Sequence, residues 1–415
     1  MAKQTNLQIE TIFLLGASAD QLFAIRTAKA MGLRVLVADM NPDSPGFALA
    51  DDFAVISTRD VSGLKVFADD YQRRGHRIDG VLVMGSDIPQ VVCELAEHLG
   101  TPHIPMEAAL LSTHKYQMKC RFQKCGIPVP WFSMVGSVEE LQTIIQLRGY
   151  PIIIKPVDRS GARGVFFLED GCDLEGLFYA ARELSFCGEV MVEEYLPGLQ
   201  ISTESIIYRG TAYTPGFDDR NYEKLKDYAP NIIENGGTMP SCVTLEQRLA
   251  VEQLVEQAGR ALGVVNGVIK GDVVMTPAGP KLIEVATRLS GGDFSESIIP
   301  LGCDVNIVEA AISIALGREP DFKKLRPKFE KGVANRYFFP APGRLVSIEG
   351  ADQVRNLPWV HKLEFWYRTG DTVPVVTCHA DRFGVFVVSG ETRAEVESRV
   401  DHIYRSIHIL TEPVE

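Results

Sequence analysis

A lysine delivered by a strand into a glycine loop can handle phosphate, and two carboxylates facing across a turn can hold a divalent cation. The first pattern is Pro151-Ile152-Ile153-Ile154-Lys155-Pro156, followed by a small-residue loop with Ser160, Gly161 and Gly164. Glycines let backbone N–H groups approach phosphate oxygens, and Lys155 adds charge to them. The lysine precedes the glycines, so this is not a Walker A loop. A surface hairpin with an ordinary lysine would have the same composition.

The second pattern pairs Gly267 to Met275 with Lys281 to Arg288 across Thr276-Pro277-Ala278-Gly279-Pro280, a turn by composition. Centred on Ala278, the hairpin sets Asp272 opposite Glu284, about 5 Å apart. Like charges there destabilise each other unless a cation lies between them, and such oxygen ligands suit Mg²⁺. The metal-free protein is therefore expected to carry local repulsion, which Glu284→Gln would relieve. Alternation puts Glu284, Ala286 and Arg288 on one face, with Arg288 in reach of anionic oxygens. Exposed strand carboxylates without a ligand are the plain alternative. Ser290-Gly291-Gly292 follows, a loop able to wrap an anion. A third pattern, Val192-Glu193-Glu194-Tyr195-Leu196-Pro197-Gly198, ends an apolar strand in a turn whose backbone can meet an adenine edge. An exposed strand end reads the same.

These segments need elements to position them. Thr11 to Leu15, Arg34 to Asp39 and Asp79 to Gly85 read as strands, and Gln21 to Met31 and Ile88 to Leu99 as helices. That repetition predicts a parallel sheet with right-handed crossovers. The turn at Gly16 holds one glycine instead of the three of a dinucleotide fingerprint, which disfavours NAD. A helix over 114–125, closed by Gly126, suggests a domain boundary near residue 113. A long helix is expected over 245–262, and strands with one late helix, 392–406, after residue 330.

With 415 residues, two or three domains are expected. A net charge of −12 and the absence of any long basic run argue against a nucleic-acid partner. Eight scattered cysteines without Cys-x-x-Cys or zinc spacing fit free thiols in a reducing cytoplasm. No signal peptide or membrane-spanning run is apparent.

Taken in order, these motifs resemble the ATP-grasp superfamily in its carboxylate–amine ligase branch, with L-amino acid ligases as the nearest likeness. The resemblance covers nearly the whole chain. It implies an α/β and α+β architecture: an N-terminal parallel-sheet domain (1–113), a two-lobed ATP-binding domain (114–318, lid about 150–215) and a small C-terminal domain (319–415). It implies ATP with Mg²⁺ or Mn²⁺ as cofactor, and small-molecule carboxylate and amine substrates. A homodimer is an open expectation.

The resemblance makes Lys115 and Lys155 the ATP lysines and Ser160 to Gly164 the phosphate loop. Glu193, Glu194 and Leu196 become the adenine hinge, Asp272 and Glu284 the metal carboxylates, and Arg288 the residue stabilising an acyl phosphate. Two positions depart from the family pattern: Ala286 stands where a metal-binding Asn is usual, and Gln200 where a ribose-binding Glu is usual. The segments 217–222 and 234–237 are expected to border the acceptor pocket. The alternatives are a purine-pathway or carbamoyl-phosphate-like ATP-grasp enzyme, or a nucleotide-binding regulator without turnover.

Overall fold

Every residue of Thr11–Leu15 is buried, as a strand covered on both faces requires. In the computed structural model, which describes residues 9–413, it lies inside a four-stranded parallel sheet. The order is Asp52–Val55, Arg34–Asp39, Thr11–Leu15, Gly80–Val83. Residues 1–8 and 414–415, at the ends of the expected first and last domains, lie outside the described residues. Leu22–Ala30, Val61–Arg73 and Pro89–Leu99 are the helices of this part. Asp60 caps the second through the Gly63 N–H, and Gly100, at φ 69°, ends the third.

Two helices, Met106–Thr113 and Lys115–Lys124, lead into a small antiparallel sheet. Its order is Phe132–Val135, Val190–Glu194, Ile152–Pro156, Phe166–Leu168, with Val138–Arg148 and Leu174–Leu184 packed against it. This lobe begins one strand and one helix before the expected lid range of 150–215. The strands at the end of that range, Leu199–Tyr208 and Thr211–Arg220, belong instead to a large eight-stranded sheet. The Pro197-Gly198 turn is where the chain changes sheets.

The large sheet runs Gly279–Ala286, Gly267–Thr276, Leu199–Tyr208, Thr211–Arg220, Gly237–Met239, Gly332–Phe338, Gly384–Gly390, Val360–Phe365. It crosses the expected boundary at 318/319 without a break, since Thr238 pairs with Ala334. Leu245–Leu262 buries Val251, Leu254, Val255 and Ala258 against this sheet, with Thr244 as its cap. The helix Arg393–Ser406 and a three-stranded sheet complete the C-terminal part. Met84 bridges to Leu289, and the Gly85 N–H donates to the Leu289 carbonyl at 3.0 Å, which ties the N-terminal sheet to the end of the hairpin. No helix among the described residues is long and apolar enough to cross a membrane.

Candidate active site

The lid lobe, the large sheet and both terminal parts surround one cleft of about 880 Å³. Its floor is a face of the large sheet, where strand register aligns side chains in rows. Asp218 pairs with Ser202, Ser202 with Asp272, and Asp272 with Glu284. In the next row Glu204 pairs with Lys270, and Lys270 with Ala286.

Asp272 does oppose Glu284, for a different reason than the sequence suggested. Thr276 pairs with Gly279, so Pro277 and Ala278 form a two-residue turn and the hairpin is not centred on Ala278. A one-residue bulge at Ile283 restores the opposition. The Ile283 carbonyl is taken up by Lys119, whose Nζ donates to it at 2.6 Å.

The expected repulsion is absent, because each carboxylate already has cationic partners. Asp272 pairs with Lys270, and with Arg220 Nη1 at 3.0 Å. Glu284 lies 3.3 Å from Lys115 Nζ. Burial favours the neutral acid, yet Lys115, followed by Lys155 and Lys270, holds Glu284 well below the usual carboxylate range. Lys115 is raised in turn: burial opposes its charge, and Glu284 and Asp87 more than offset this. Lys115 also donates to the Arg159 carbonyl at 2.6 Å, which anchors the glycine loop.

Lys155 is buried, with its Nζ 2.5 Å from Glu193 Oε1. Glu193 Oε2 lies 3.0 Å from Lys119 Nζ. The Glu193 side chain is thus held between two lysines, and the residue lines the cleft at the segment whose backbone is expected at the adenine edge. Lys119 is fully buried, and burial, with Lys155 beside it, pushes its pKa down to about 8. Sequence reasoning missed Lys119, although it sits one helical turn from Lys115 on the same face. Glu194 also lines the cleft, accepting from Lys281 at 3.0 Å and from the Trp131 N–H at 3.2 Å. Leu196 and Gln200 line the cleft.

The loop at Ser160, Gly161 and Gly164 also lines the cleft. Gly161 and Gly164 have φ of 66° and 72°, which favours glycine, and Ala162 between them sits at 60°. The His379 N–H donates to the Gly161 carbonyl at 3.1 Å, so this lid loop touches the C-terminal part. Arg288 reaches the cleft through Asp87, with Nε 2.7 Å from Oδ1. Burial would lower the Arg288 pKa, and Asp87 more than compensates. One further acid in the large sheet, the fully buried Glu204, went unrecognised. Glu204 accepts from the Ser290 N–H and from Ser295 Oγ, which fixes the loop after Arg288. Asp218, in the segment expected to border the acceptor, lines the cleft.

The donor set fits a divalent cation carried in with phosphates. Asp272 and Glu284 offer oxygens from adjacent strands, and no cluster of three His, Cys, Asp or Glu occurs among the described residues. Mg²⁺ commonly takes one or two carboxylates and completes its shell with phosphate oxygens and water. The surrounding Lys115, Lys155, Lys270 and Arg288 supply the positive charge a polyphosphate needs.

A family model described as ATP-grasp domain matches residues 112–292, and one described as L-amino acid ligase C-terminal domain 2 matches residues 336–412. The L-arginine-specific L-amino acid ligase of Bacillus subtilis is 23% identical over 288 residues, 67% of this chain and 67% of the relative. Carnosine synthase 1 of Gallus gallus is 24% identical over 333 residues, covering 74% of this chain; the match spans 35% of that longer relative. A crystal structure of an L-amino acid ligase from Bacillus licheniformis superposes with a TM-score of 0.82 at 19% identity, over 98% of this chain and 99% of the other. With the cleft built as described and both models matching in order, the chain belongs to the ATP-grasp superfamily, in its carboxylate–amine ligase branch.

Proposed function

We propose that this chain joins an amino-acid-type carboxylate to an amine, using ATP to activate the carboxylate as an acyl phosphate. The observation that carries this reading is the convergence of Lys115, Lys155 and Arg288 on the opposed Asp272 and Glu284 in one cleft. Phosphoryl transfer of this kind depends on positioning and charge neutralisation more than on a protein nucleophile. Lys115 and Lys155 would hold phosphate oxygens of ATP, and the loop at Gly161 and Gly164 would close over them. Asp272 and Glu284 would hold Mg²⁺ or Mn²⁺, which supplies charge neutralisation to the phosphates. Arg288, braced by Asp87, would face the anionic oxygens of the activated carboxylate. The lid lobe would exclude water from an intermediate that hydrolyses readily. The L-amino acid ligase match of the C-terminal part supports an amino-acid-type substrate.

Phosphate release from Mg·ATP across a panel of amino acids and amines, with mass spectrometry of the products, tests this. Amide products formed with one phosphate per bond are expected. Phosphate release independent of every carboxylate offered would count against it.

A further inference from the structure

Asp218 differs from every acid around it. It is 4% exposed and lines the cleft, yet its Oδ1 is buried without a hydrogen-bond partner among the described residues. Its neighbours are all engaged: Asp219 pairs with Arg393 at 2.7 Å, Glu234 with Arg220 at 2.8 Å, and Asp272 with Lys270 and Arg220. A buried carboxylate oxygen without a partner is costly, so its retention in a cleft points to a partner that arrives from outside. The backbone makes room for the carboxylate itself: a Cβ on Gly237 would lie 2.0 Å from Asp218 Oδ2.

The register fixes where that partner sits. Asp218 shares its row with Ser202, Asp272 and Glu284, two strands from Asp272. At the usual strand spacing that is about 10 Å. An acyl phosphate with its phosphoryl oxygens near Asp272 and Glu284 and its carbonyl carbon directed along this row would point towards Asp218. A nucleophile about 3 Å beyond that carbon comes within hydrogen-bond reach of Asp218.

From this position we infer that Asp218 accepts a proton from the attacking amine in the second half-reaction. The inference rests on the ligase reading above. The amine enters as ammonium and gives one proton to the Asp218 carboxylate. Its freed lone pair forms the C–N bond, the C–O bond to phosphate breaks, and phosphate leaves with that electron pair and the remaining excess proton. The charged groups that act on Asp218 are Glu234, Arg220, its chain neighbour Asp219, and Lys270. Burial above all, and then Glu234, holds its carboxyl well above the usual range, which brings a carboxylate nearer the affinity a base needs.

Hydroxylamine separates the two half-reactions, because it is largely unprotonated at neutral pH and attacks acyl phosphates without help from a base. Asp218→Asn should form hydroxamate from Mg·ATP and an amino acid within about threefold of the wild-type rate. Its amide formation should fall at least 100-fold, the usual scale of general-base assistance. Gly237→Ala, whose new Cβ displaces the carboxylate, should show the same split and serves if Asp218→Asn does not fold. Equal amide rates in wild type and variants would overturn the inference. So would a raised amine KM at unchanged kcat, which would make Asp218 a binding group only. A wild-type protein that forms hydroxamate but no amide with any amine offered would also overturn it. If wild type forms neither product with any amino acid, the ligase reading itself fails, and this inference fails with it.

Discussion

Replacing Lys119 with Met isolates a buried cation that joins three elements beside the cleft. Lys119 connects the helix Lys115–Lys124 to Glu193 at 3.0 Å and to the bulged carbonyl of Ile283 at 2.6 Å. Removing it orphans that carbonyl, at a cost of about 1–3 kcal/mol. It also leaves Glu193 with Lys155 as its one directly paired lysine. Against this, the fall of the Lys119 pKa from 10.5 to about 8 means that its surroundings disfavour the ammonium. That shift corresponds to about 3 kcal/mol, which the variant recovers. The two effects nearly cancel, so stability should change by no more than about 2 kcal/mol.

ATP binding should change more clearly. Lys119, Lys155 and Glu193 together carry one net positive charge, and the variant carries none. A loss of about 1–2 kcal/mol in ATP affinity is expected, or roughly 5- to 30-fold. As pH rises through about 8, wild-type ATP affinity should decline towards that of the variant, which lacks this ionisation. The stability sign is opposite. A lysine with a depressed folded-state pKa contributes stability that is present above its unfolded value and lost as pH falls through about 8. Between about pH 8 and 10.5 the wild-type protein should therefore gain stability relative to the variant. Calorimetric titration with ATP and urea unfolding, each at pH 7 and 9, measure both. Unchanged ATP affinity, with the same pH dependence in both proteins, would refute the reasoning.

Three further outcomes follow from the cleft. Glu284→Gln should abolish turnover and lower metal-free stability by about 1 kcal/mol, because Lys115 loses its partner at a site where Glu284 is 33% exposed; thermal melts in EDTA check the sign, which is the reverse of the repulsion expected from sequence. His379 is pushed down to about 3 by burial and then by Arg382, so the protein should lose stability as pH falls below 6.5. Unfolding free energies from urea titrations at pH 7 and 5 should therefore differ by about 1–2 kcal/mol less in His379→Gln than in wild type. Mg·ATP should slow hydrogen exchange across 158–165, where Gly161, Ala162 and Gly164 hold positive φ; equal exchange with and without nucleotide would remove the phosphate role of that loop.

What the sequence made legible was local. Lys155 followed by glycines, and two carboxylates flanking a turn, depend on residues near one another in the chain. The opposition of Asp272 and Glu284 came out right although the turn was misplaced, because the bulge at Ile283 cancelled the one-residue error. A bulge has no composition signature here: Leu282-Ile283-Glu284 reads as plain strand. What stayed hidden was non-local. The pairing of the Glu193 side chain was out of reach because its partners, Lys119 and Lys155, lie 74 and 38 positions away, and only the fold brings them together. The continuity of the large sheet into the C-terminal part likewise depends on the pairing of Thr238 with Ala334, which no pattern within either strand announces. Glu204, between Thr203 and Ser205, and Asp218, beside Asp219, gave no local cue to which strands their rows would join.

The central claim is that the cleft activates a carboxylate by forming an acyl phosphate. Its most direct test is an isotope transfer, with an amino acid substrate labelled with ¹⁸O in its carboxylate, unlabelled Mg·ATP and an amine. Inorganic phosphate carrying one ¹⁸O atom, alongside ADP and the amide, is the predicted result, because the oxygen bridging carbon and phosphorus leaves with phosphorus. Amide formed with unlabelled phosphate, or with AMP and pyrophosphate in place of ADP, would contradict the account.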